Sequence, residues 1–166
     1  MSLDKFTQRT QSALAEAQSM ALGLDHTQIE PVHLLAVLLD SQDQLAANLI
    51  NRAGGNVATL RRAAQEMLRD RPKIGKSTGE VTMSADLART IGRADASAQK
   101  SGDKFISVDR VLVALCDDKQ LAELFNDAGI NTQALTAAVD AQRNGETVED
   151  QNAEDLQGAL GKYTID

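Results

Sequence analysis

Apolar residues recur every three or four positions along most of the chain, which is the spacing of one face of an α-helix. Eight such stretches are separated by glycine, proline or short polar breaks. Asp4 is placed to cap the first helix, and Pro31 to open the second. The pattern predicts an all-α fold with helices at residues 4–22, 31–39, 44–53, 57–69, 85–101, 108–117, 118–128 and 132–143.

The apolar frame of the first half repeats in the second half. Residues 6–40 match a later stretch at a shift of 77, the separation of Ile29 and Ile106, and further along the shift becomes 75, the separation of Asn56 and Asn131. The matched residues are mostly small or apolar, so the repeated unit is a packing unit. We therefore predict an eight-helix, pseudo-twofold domain of two tandem four-helix repeats. The domain covers residues 1–143, with repeat one at 1–69, a connector at 70–83 and repeat two at 84–143.

The character of the chain changes after residue 143. Residues 144–158 contain five acidic residues and no basic residue. Such a segment has little apolar surface with which to order itself, so we predict a flexible, solvated acidic linker. Residues 159–166 are apolar again, and we interpret them as the start of a further, truncated module.

Composition narrows the classes of function. Hydrophobic residues make up 42% of the chain and charged residues 25%, as in ordinary globular proteins, whereas aromatic residues make up 2%. The net charge of −7 repels phosphate backbones and few rings could stack on bases, so we predict no nucleic-acid binding. No apolar run approaches about 18 residues and the first residues do not resemble a signal peptide, so we expect a cytoplasmic protein without membrane contact.

No set of residues has the spacing of a catalytic or cofactor site. Gly75-Lys76-Ser77 resembles the end of a phosphate-binding loop, but Asp70 stands where that loop needs a glycine. His33 lies in a strongly apolar helix, where a hydrogen-bonded structural imidazole is the usual role. Cys116 ends a buried helix, where it acts as a small hydrophobic residue. We therefore predict a binding module without an ATPase site, and with no cofactor or metal ion.

Two carboxylates depart from the repeat. Asp103 follows Gly102 in the turn after the fifth helix, and Asp109 lies in the first turn of the sixth; the shift matches them to His26 and Val32. One reading is recognition, because positions that break the symmetry are free to bind a partner. The other reading is local, because aspartate suits turns and stabilises a helix start by about 0.3–1 kcal/mol. Spacing alone leaves both readings open.

Several motifs together resemble a known family: Ala13-Leu-Ala-Glu-Ala-Gln18, Ile29-Glu-Pro-Val-His-Leu34, Gly102-Asp-Lys-Phe-Ile-Ser107 and Lys162-Tyr-Thr-Ile-Asp166. They resemble the double Clp-N repeat of the AAA+ Clp family, and within it the ClpB disaggregases. The resemblance covers essentially all 166 residues. It implies a mobile amino-terminal domain that captures unfolded or aggregated polypeptide and helps deliver it to the pore of an ATP-driven machine.

The resemblance also implies partners and site residues. Family residues linked to substrate binding correspond here to Thr7, Asp103 and Asp109, although the family often has Glu at position 109 and an apolar residue in place of Arg110. The parent protein would be a homohexamer working with a DnaK-type chaperone, with ATP and magnesium in AAA+ modules absent from this chain. The alternative is an adaptor-docking domain of a ClpA- or ClpC-type protease, against which the terminal motif argues.

The repeat and the resemblance lead to one mechanistic hypothesis. The seam between the two repeats is a natural place for a shallow apolar groove, which would accept the apolar side chains of an unfolded client. Thr7, Asp103 and Asp109 would border this groove, and the acids would attract basic flanking residues and backbone donors. Binding should be weak, because the client has to be passed on to the pore.

Overall fold

The computed structural model of the chain describes residues 3–73 and 80–154. Within them the predicted all-α fold is confirmed, with four helices in each repeat. The helices are α1 (Gln8–Gly23), α2 (Pro31–Leu39), α3 (Leu45–Arg52), α4 (Val57–Asp70), α5 (Ala85–Lys100), α6 (Val108–Cys116), α7 (Ala122–Asp127) and α8 (Thr132–Arg143). The predictions for residues 74–79 of the connector, 155–158 of the linker and the module start at 159–166 lie outside the described residues.

Two helices begin later than predicted. Asp4 does not cap the first helix; it lies in a short 3-10 turn, and Thr7 caps α1 by accepting a hydrogen bond from the amide of Thr10 (3.2 Å). The chain before Thr7 pairs with the other repeat, so the helix cannot start earlier. α7 begins after a turn in which the carboxylate of Asp118 accepts from the amide of Gln120 (3.0 Å), as aspartate commonly does.

The second helix of each repeat lies at the centre of the domain. Every residue of α2 is buried, and α6 is buried except at Asp109 and Val113. α2 packs against α1, α3 and α4, and it also contacts α5 and α6 across the seam. A helix without a polar face must be surrounded by other elements. α2 therefore joins the core of repeat one to that of repeat two.

The two repeats exchange the segments that lead into their first helices, here called the lead-in segments (residues 3–7 and 80–84). The first forms a single parallel bridge with Ile106 of repeat two. The second contains strand β2 (Thr82–Met83), which pairs in parallel with β1 (Gln28–Ile29) of repeat one. These pairs were not predicted, because two residues are too short to show the alternation of a strand.

The exchange follows the internal repeat. The amide of Thr7 donates to the carbonyl of Ile106 (3.1 Å), and the amide of Ser84 donates to the carbonyl of Ile29 (3.0 Å). Donors and acceptors both differ by 77 positions, so the two hydrogen bonds are equivalent under the pseudo-twofold relation. Each first helix therefore begins against the opposite repeat.

Residues 144–154, part of the predicted linker, are mostly exposed but contact the rest of the domain. Val148 is 1% exposed and Glu154 is 7% exposed. The carbonyl of Gln151 accepts a hydrogen bond from the amide of Gln8 at the start of α1 (2.8 Å). One buried apolar side chain and one carboxylate with buried donors attach this otherwise polar segment, and composition alone does not reveal such contacts.

The turns that precede α4 and α8 meet at the seam. A substitution at Gly55 tests this contact. A Cβ atom at Gly55 would overlap the buried side chain of Ile130. We expect Gly55→Ala to lower the free energy of unfolding by about 1–3 kcal/mol, the usual cost of overpacking. Gly23→Ala is the control, since a Cβ there meets no atom within 4 Å. Equal chemical-denaturation midpoints for the two variants would contradict the packing of this seam.

Candidate functional site

The three predicted site residues are linked through shared partners. Asp103 and Asp109 both form ion pairs with Arg143, the last residue of α8. Thr7 contacts Glu154, whose carboxylate also accepts a hydrogen bond from the first amide of α6. The exchange of lead-in segments is what brings Thr7 of repeat one to the start of α6 in repeat two. The structure therefore groups these residues at one end of the seam.

The carboxylate of Asp103 is completely enclosed. Arg143 donates to both of its oxygens (2.9 and 3.0 Å), Arg110 donates to Oδ2 (3.0 Å), and the amide of Val148 donates to Oδ1 (3.0 Å). The side chain has no exposed area. Burial by itself raises the pKa of Asp103, but the hydrogen bonds from Arg143, Val148 and Arg110 outweigh it and lower the pKa below its ordinary value. Asp103 is therefore a charged structural anchor.

Arg143 connects the two acids. Its Nε donates to Oδ2 of Asp109 (2.6 Å) and its Nη2 donates to Oδ1 of the same carboxylate (3.0 Å) and to Oγ of Ser107 (3.0 Å). Burial disfavours the charged guanidinium, but the hydrogen bonds that it donates to Asp109 and Asp103 raise the pKa of Arg143 above its ordinary value. The cluster is thus two carboxylates around one fork-shaped cation, which is a geometry that arginine favours.

Thr7 and Glu154 form the second half of the site. The hydroxyl of Thr7 hydrogen-bonds with Oγ1 of Thr10 (2.9 Å) and with a carboxylate oxygen of Glu154. The other oxygen of Glu154 accepts from the amide of Val108 (3.0 Å). Burial raises the pKa of Glu154 to about 7, although the hydrogen bonds from Thr7 and Val108 act in the opposite direction. The carboxylate therefore takes the place of a cap at the start of α6.

A groove of repeat one reaches the seam beside this cluster, where Val108 of repeat two lines its end, and is called here the seam groove. It has a volume of about 320 Å³ and lies between α1, the end of α2 and the start of α6. An ion pair between Arg9 and Asp43 crosses its rim. Apolar side chains form its floor and polar side chains its rim. The lining residues are Gln8, Arg9, Ser12, Ala13, Glu16, Val37, Leu38, Ser41, Asp43, Ala46 and Val108.

A second groove lies on repeat one alone and is called here the repeat-one groove. It is larger, about 630 Å³, and lies between α1, α2 and α4. Met20, Leu24 and Leu68 give it an apolar lining, with Ser19 at its edge. The seam groove, not the repeat-one groove, borders the residues singled out by the sequence, because Gln8 and Val108 adjoin Thr7 and Asp109 in the chain.

Comparison with known proteins identifies the family of the chain. The family model described as "Clp repeat (R) N-terminal domain" matches residues 5–128. The chain belongs to the Clp repeat family. A ClpB chaperone of Pseudomonas putida is 42% identical over 167 aligned residues, which cover 100% of this chain and 20% of that protein. The chain therefore corresponds to about a fifth of the length of this ClpB relative, and it is a ClpB-type amino-terminal domain.

Solved structures of Clp amino-terminal domains share the fold. The Hsp104 N-terminal domain of Candida albicans superposes with a TM-score of 0.82 at 21% identity, covering 90% of this chain and 98% of that one. A ClpV N-domain in complex with a VipB peptide superposes with a TM-score of 0.63 at 20% identity, covering 82% and 85%. Among the described residues, no helix combines the length and apolar character required to cross a membrane.

Sequence reasoning missed the two residues that organise the site, Arg143 and Glu154. Arg143 is the polar end of a predicted helix, and Glu154 is one acid among several in a predicted linker. The pairing of Arg110 with Asp103 could have been predicted from the repeat, because the shift of 77 matches Arg110 to His33 and Asp103 to His26. The repeat therefore carried a signal that these two positions face each other in both halves.

The histidine pair of repeat one confirms this equivalence. Nδ1 of His26 lies 2.8 Å from Nε2 of His33, and Nδ1 of His33 accepts from the amide of Glu30 (2.8 Å). The proton of His33 is therefore on Nε2, and it is donated to His26. Burial, the neighbouring His26 and Arg71 lower the pKa of His33 to about 4. His33 is thus the hydrogen-bonded structural imidazole that the sequence predicts.

Removing the anchor should destabilise the domain. We expect Asp103→Ala to lower the free energy of unfolding by about 3–5 kcal/mol, because it leaves Arg143 and Arg110 buried without their shared partner. Glu149→Ala is the control, since its ion pair with Lys104 lies on the surface, and it should leave the midpoint of urea unfolding unchanged. Similar midpoints for both variants would show that the buried ion pairs do not support the fold.

Acidification should destabilise the domain through His33. Its pKa is about 4 in the folded state, against 6.5 for an ordinary histidine, so the unfolded chain binds more protons between these values. The contribution to the free energy of unfolding is constant above about pH 6.5 and falls as the pH drops towards 4, by up to about 3 kcal/mol. An NMR titration of the His33 ring should show protonation near pH 4; a midpoint near 6.5 would contradict its burial as a neutral ring.

Proposed function

We propose that this domain docks unfolded or aggregated polypeptide for an ATP-dependent disaggregase of the ClpB type and helps deliver it to the pore. The observation that carries the proposal is the seam groove, with its apolar floor and polar rim beside the predicted site residues. Apolar side chains of an unfolded client would contact the floor, while the rim would hydrogen-bond with its unpaired backbone. Such a groove recognises a class of chain, since few of its contacts require a particular side chain.

The three predicted residues take different parts in this proposal. Asp103 has no exposed side-chain area, so we assign it a positioning role rather than contact with the client. Asp109 keeps 15% of its side chain exposed at the start of α6. Thr7 is buried, but it fixes the first turn of α1, which forms one wall of the groove. Thr7 and Asp109 would therefore shape the end of the groove that borders α6.

The setting of the domain is part of the proposal. In the parent protein, we propose a cytoplasmic homohexamer that acts with a DnaK-type chaperone. ATP and magnesium would bind in AAA+ modules outside this chain, and the domain itself would contribute binding only. Weak docking suits such a machine, because a client held tightly by this domain would be slow to enter the pore.

Docking of a defined peptide from an adaptor is the second candidate function. It is supported by the ClpV N-domain that was solved with a VipB peptide, which demonstrates peptide binding for a related domain. A ClpA- or ClpC-type adaptor would require one preferred sequence, whereas a disaggregase domain would accept many. Titration of a panel of unrelated unfolded proteins separates the two, since comparable affinities across the panel favour the disaggregase function.

The seam groove can be tested with a matched pair of substitutions on α1. Ser12 lines the seam groove and Ser19 lines the repeat-one groove, and both side chains are exposed. We expect Ser12→Lys to weaken the binding of fluorescein-labelled casein by about fivefold or more, as expected for the loss of roughly 1 kcal/mol of apolar contact. Ser19→Lys should leave the dissociation constant unchanged, and fluorescence anisotropy measures both.

Each alternative outcome has a distinct meaning. Weaker binding of Ser19→Lys alone would move the docking site to the repeat-one groove. Unchanged binding of both variants, with helical content intact by circular dichroism, would remove both grooves as client sites. No measurable binding of casein to the unsubstituted domain would overturn the proposed function itself.

A further inference from the structure

The segment after α8, residues 145–154, lies across the candidate site and is called here the C-terminal segment. Hydrogen bonds with its backbone attach it, including one from Nη1 of Arg143 to the carbonyl of Glu146 (3.3 Å). The amide of Lys104 donates to the carbonyl of Val148 (2.8 Å), and the amide of Val148 donates to the carboxylate of Asp103 (3.0 Å). The amide of Gln8 donates to the carbonyl of Gln151 (2.8 Å). The segment thus bridges the turn before α6 and the start of α1.

Side chains complete the attachment, and Nε2 of Gln151 donates to the carbonyls of Asp4 (3.3 Å) and Phe6 (3.5 Å). Val148 is buried, and the carboxylate of Glu154 reaches the hydroxyl of Thr7 and the amide of Val108. These contacts use the same groups that form the candidate site: Thr7, Asp103 and the residue next to Asp109. The segment therefore occupies hydrogen-bonding positions that an external polypeptide would need at this end of the seam.

We propose that the C-terminal segment is an intramolecular ligand of the candidate site, and that a client polypeptide displaces it to bind there. This inference rests on the proposed function, since it concerns how the same site is controlled. The segment then reduces the affinity of the domain for clients, because docking requires its release. It also defines the chemistry of the competing ligand: an extended backbone with an apolar side chain followed, six residues later, by a carboxylate.

The surface under the segment suits an extended chain. It presents the amides of Gln8, Lys104 and Val108 and the hydroxyl of Thr7 as donors, with a carboxylate oxygen of Asp103 as the acceptor. An unfolded polypeptide carries unpaired carbonyls and amides along its whole length, so it can replace each of these bonds. The acceptor on Asp103 is fixed by Arg143 and Arg110, so it stays in place when the segment leaves.

The attachment is light enough to be displaced. Of the ten residues in the segment, only Val148 and Glu154 are buried. Burial of the Glu154 carboxylate opposes its ionisation, as its raised pKa indicates, so docking at neutral pH works against a desolvation cost. α8 keeps contacts of its own, because Arg143 bonds with Asp103, Asp109 and Ser107 in addition to donating to the carbonyl of Glu146 in the segment (3.3 Å). Release of the segment therefore need not disturb the helices.

The test uses the full 166-residue chain and two variants that act at opposite ends of the segment. Val148→Asp places a charge in the buried position, and Glu154→Ala removes the acceptor for Thr7 and Val108. Asn152→Ala is the matched control, because Asn152 lies on the same segment and its side chain is exposed. Hydrogen exchange at the Lys104 amide, which is bonded to Val148, reports whether the segment is released.

We expect both variants, and not the control, to lose protection at the Lys104 amide and to bind labelled casein about threefold or more tightly, since the binding-competent state becomes fully populated. Loss of protection with unchanged casein affinity would overturn the proposal and leave the proposed function standing. Retained protection in both variants would also overturn it, because the segment would not be held by these contacts.

A synthetic peptide of residues 145–154 separates failure of this inference from failure of the proposed function. Added to the Glu154→Ala variant, it should restore protection at the amides of Gln8 and Lys104 and compete with casein. A peptide carrying the equivalent of both Val148→Asp and Glu154→Ala should do neither.

If casein binds no form of the protein, the proposed function fails, and peptide binding alone still decides whether the segment is a ligand of this surface. Absence of peptide binding while casein binds would overturn the inference only.

Discussion

The exchange of lead-in segments is the constraint on which the rest of the structure depends. The amide of Thr7 can reach the carbonyl of Ile106 only if the chain of repeat one crosses the seam, and the bond from Ser84 to Ile29 imposes the converse crossing. Each first helix is therefore built against the other repeat. The seam groove follows directly, because one of its walls is α1 and its end is the start of α6. Two repeats that only packed side by side would not place Thr7 near the acids of repeat two.

One pair of equivalent positions shows how the repeats have diverged. In repeat one, His26 and His33 share a hydrogen bond as neutral rings, whereas in repeat two the same positions hold Asp103 and Arg110 as an ion pair. The neutral pair makes one hydrogen bond between its rings, and His33 accepts a second from the amide of Glu30. A buried carboxylate accepts several hydrogen bonds, and here it also binds Arg143 and the backbone of the following segment. The charged pair thus gives repeat two an anchor that repeat one lacks.

Capping and periodicity, which depend on neighbouring residues, predicted the helices. The predictions that differ from the structure involve contacts between residues far apart in the chain. Pro31 and the asparagine cap at residue 56 mark helix starts in sequence and structure alike, because capping depends on neighbouring residues. Asp4 is also a favourable capping residue, but Thr7 caps α1, because the backbone before Thr7 pairs with Ile106 of the other repeat. The acidic composition after residue 143 predicts solvated side chains. The carboxylate of Glu154 nevertheless accepts a hydrogen bond from the amide of Val108, 46 positions earlier at the start of α6. The resemblance singled out Thr7, Asp103 and Asp109, and the structure links them through shared partners, whereas the part played by Arg143 could be seen only in the fold.

The burial of Asp103 changes how a binding site inferred from resemblance should be judged. A residue can be linked to binding because it touches the client, or because it positions groups that do, and a fully enclosed carboxylate can only do the second. Loss of binding after its removal would then follow from movement of Arg143, of the turn before α6 and of the segment attached there. Exposed residues such as Ser12 on the groove wall separate the two causes, because their substitution leaves the buried charges paired. The same reasoning explains how a shallow groove can depend on a deep ion pair: the charges are buried so that the surface above them has a fixed shape.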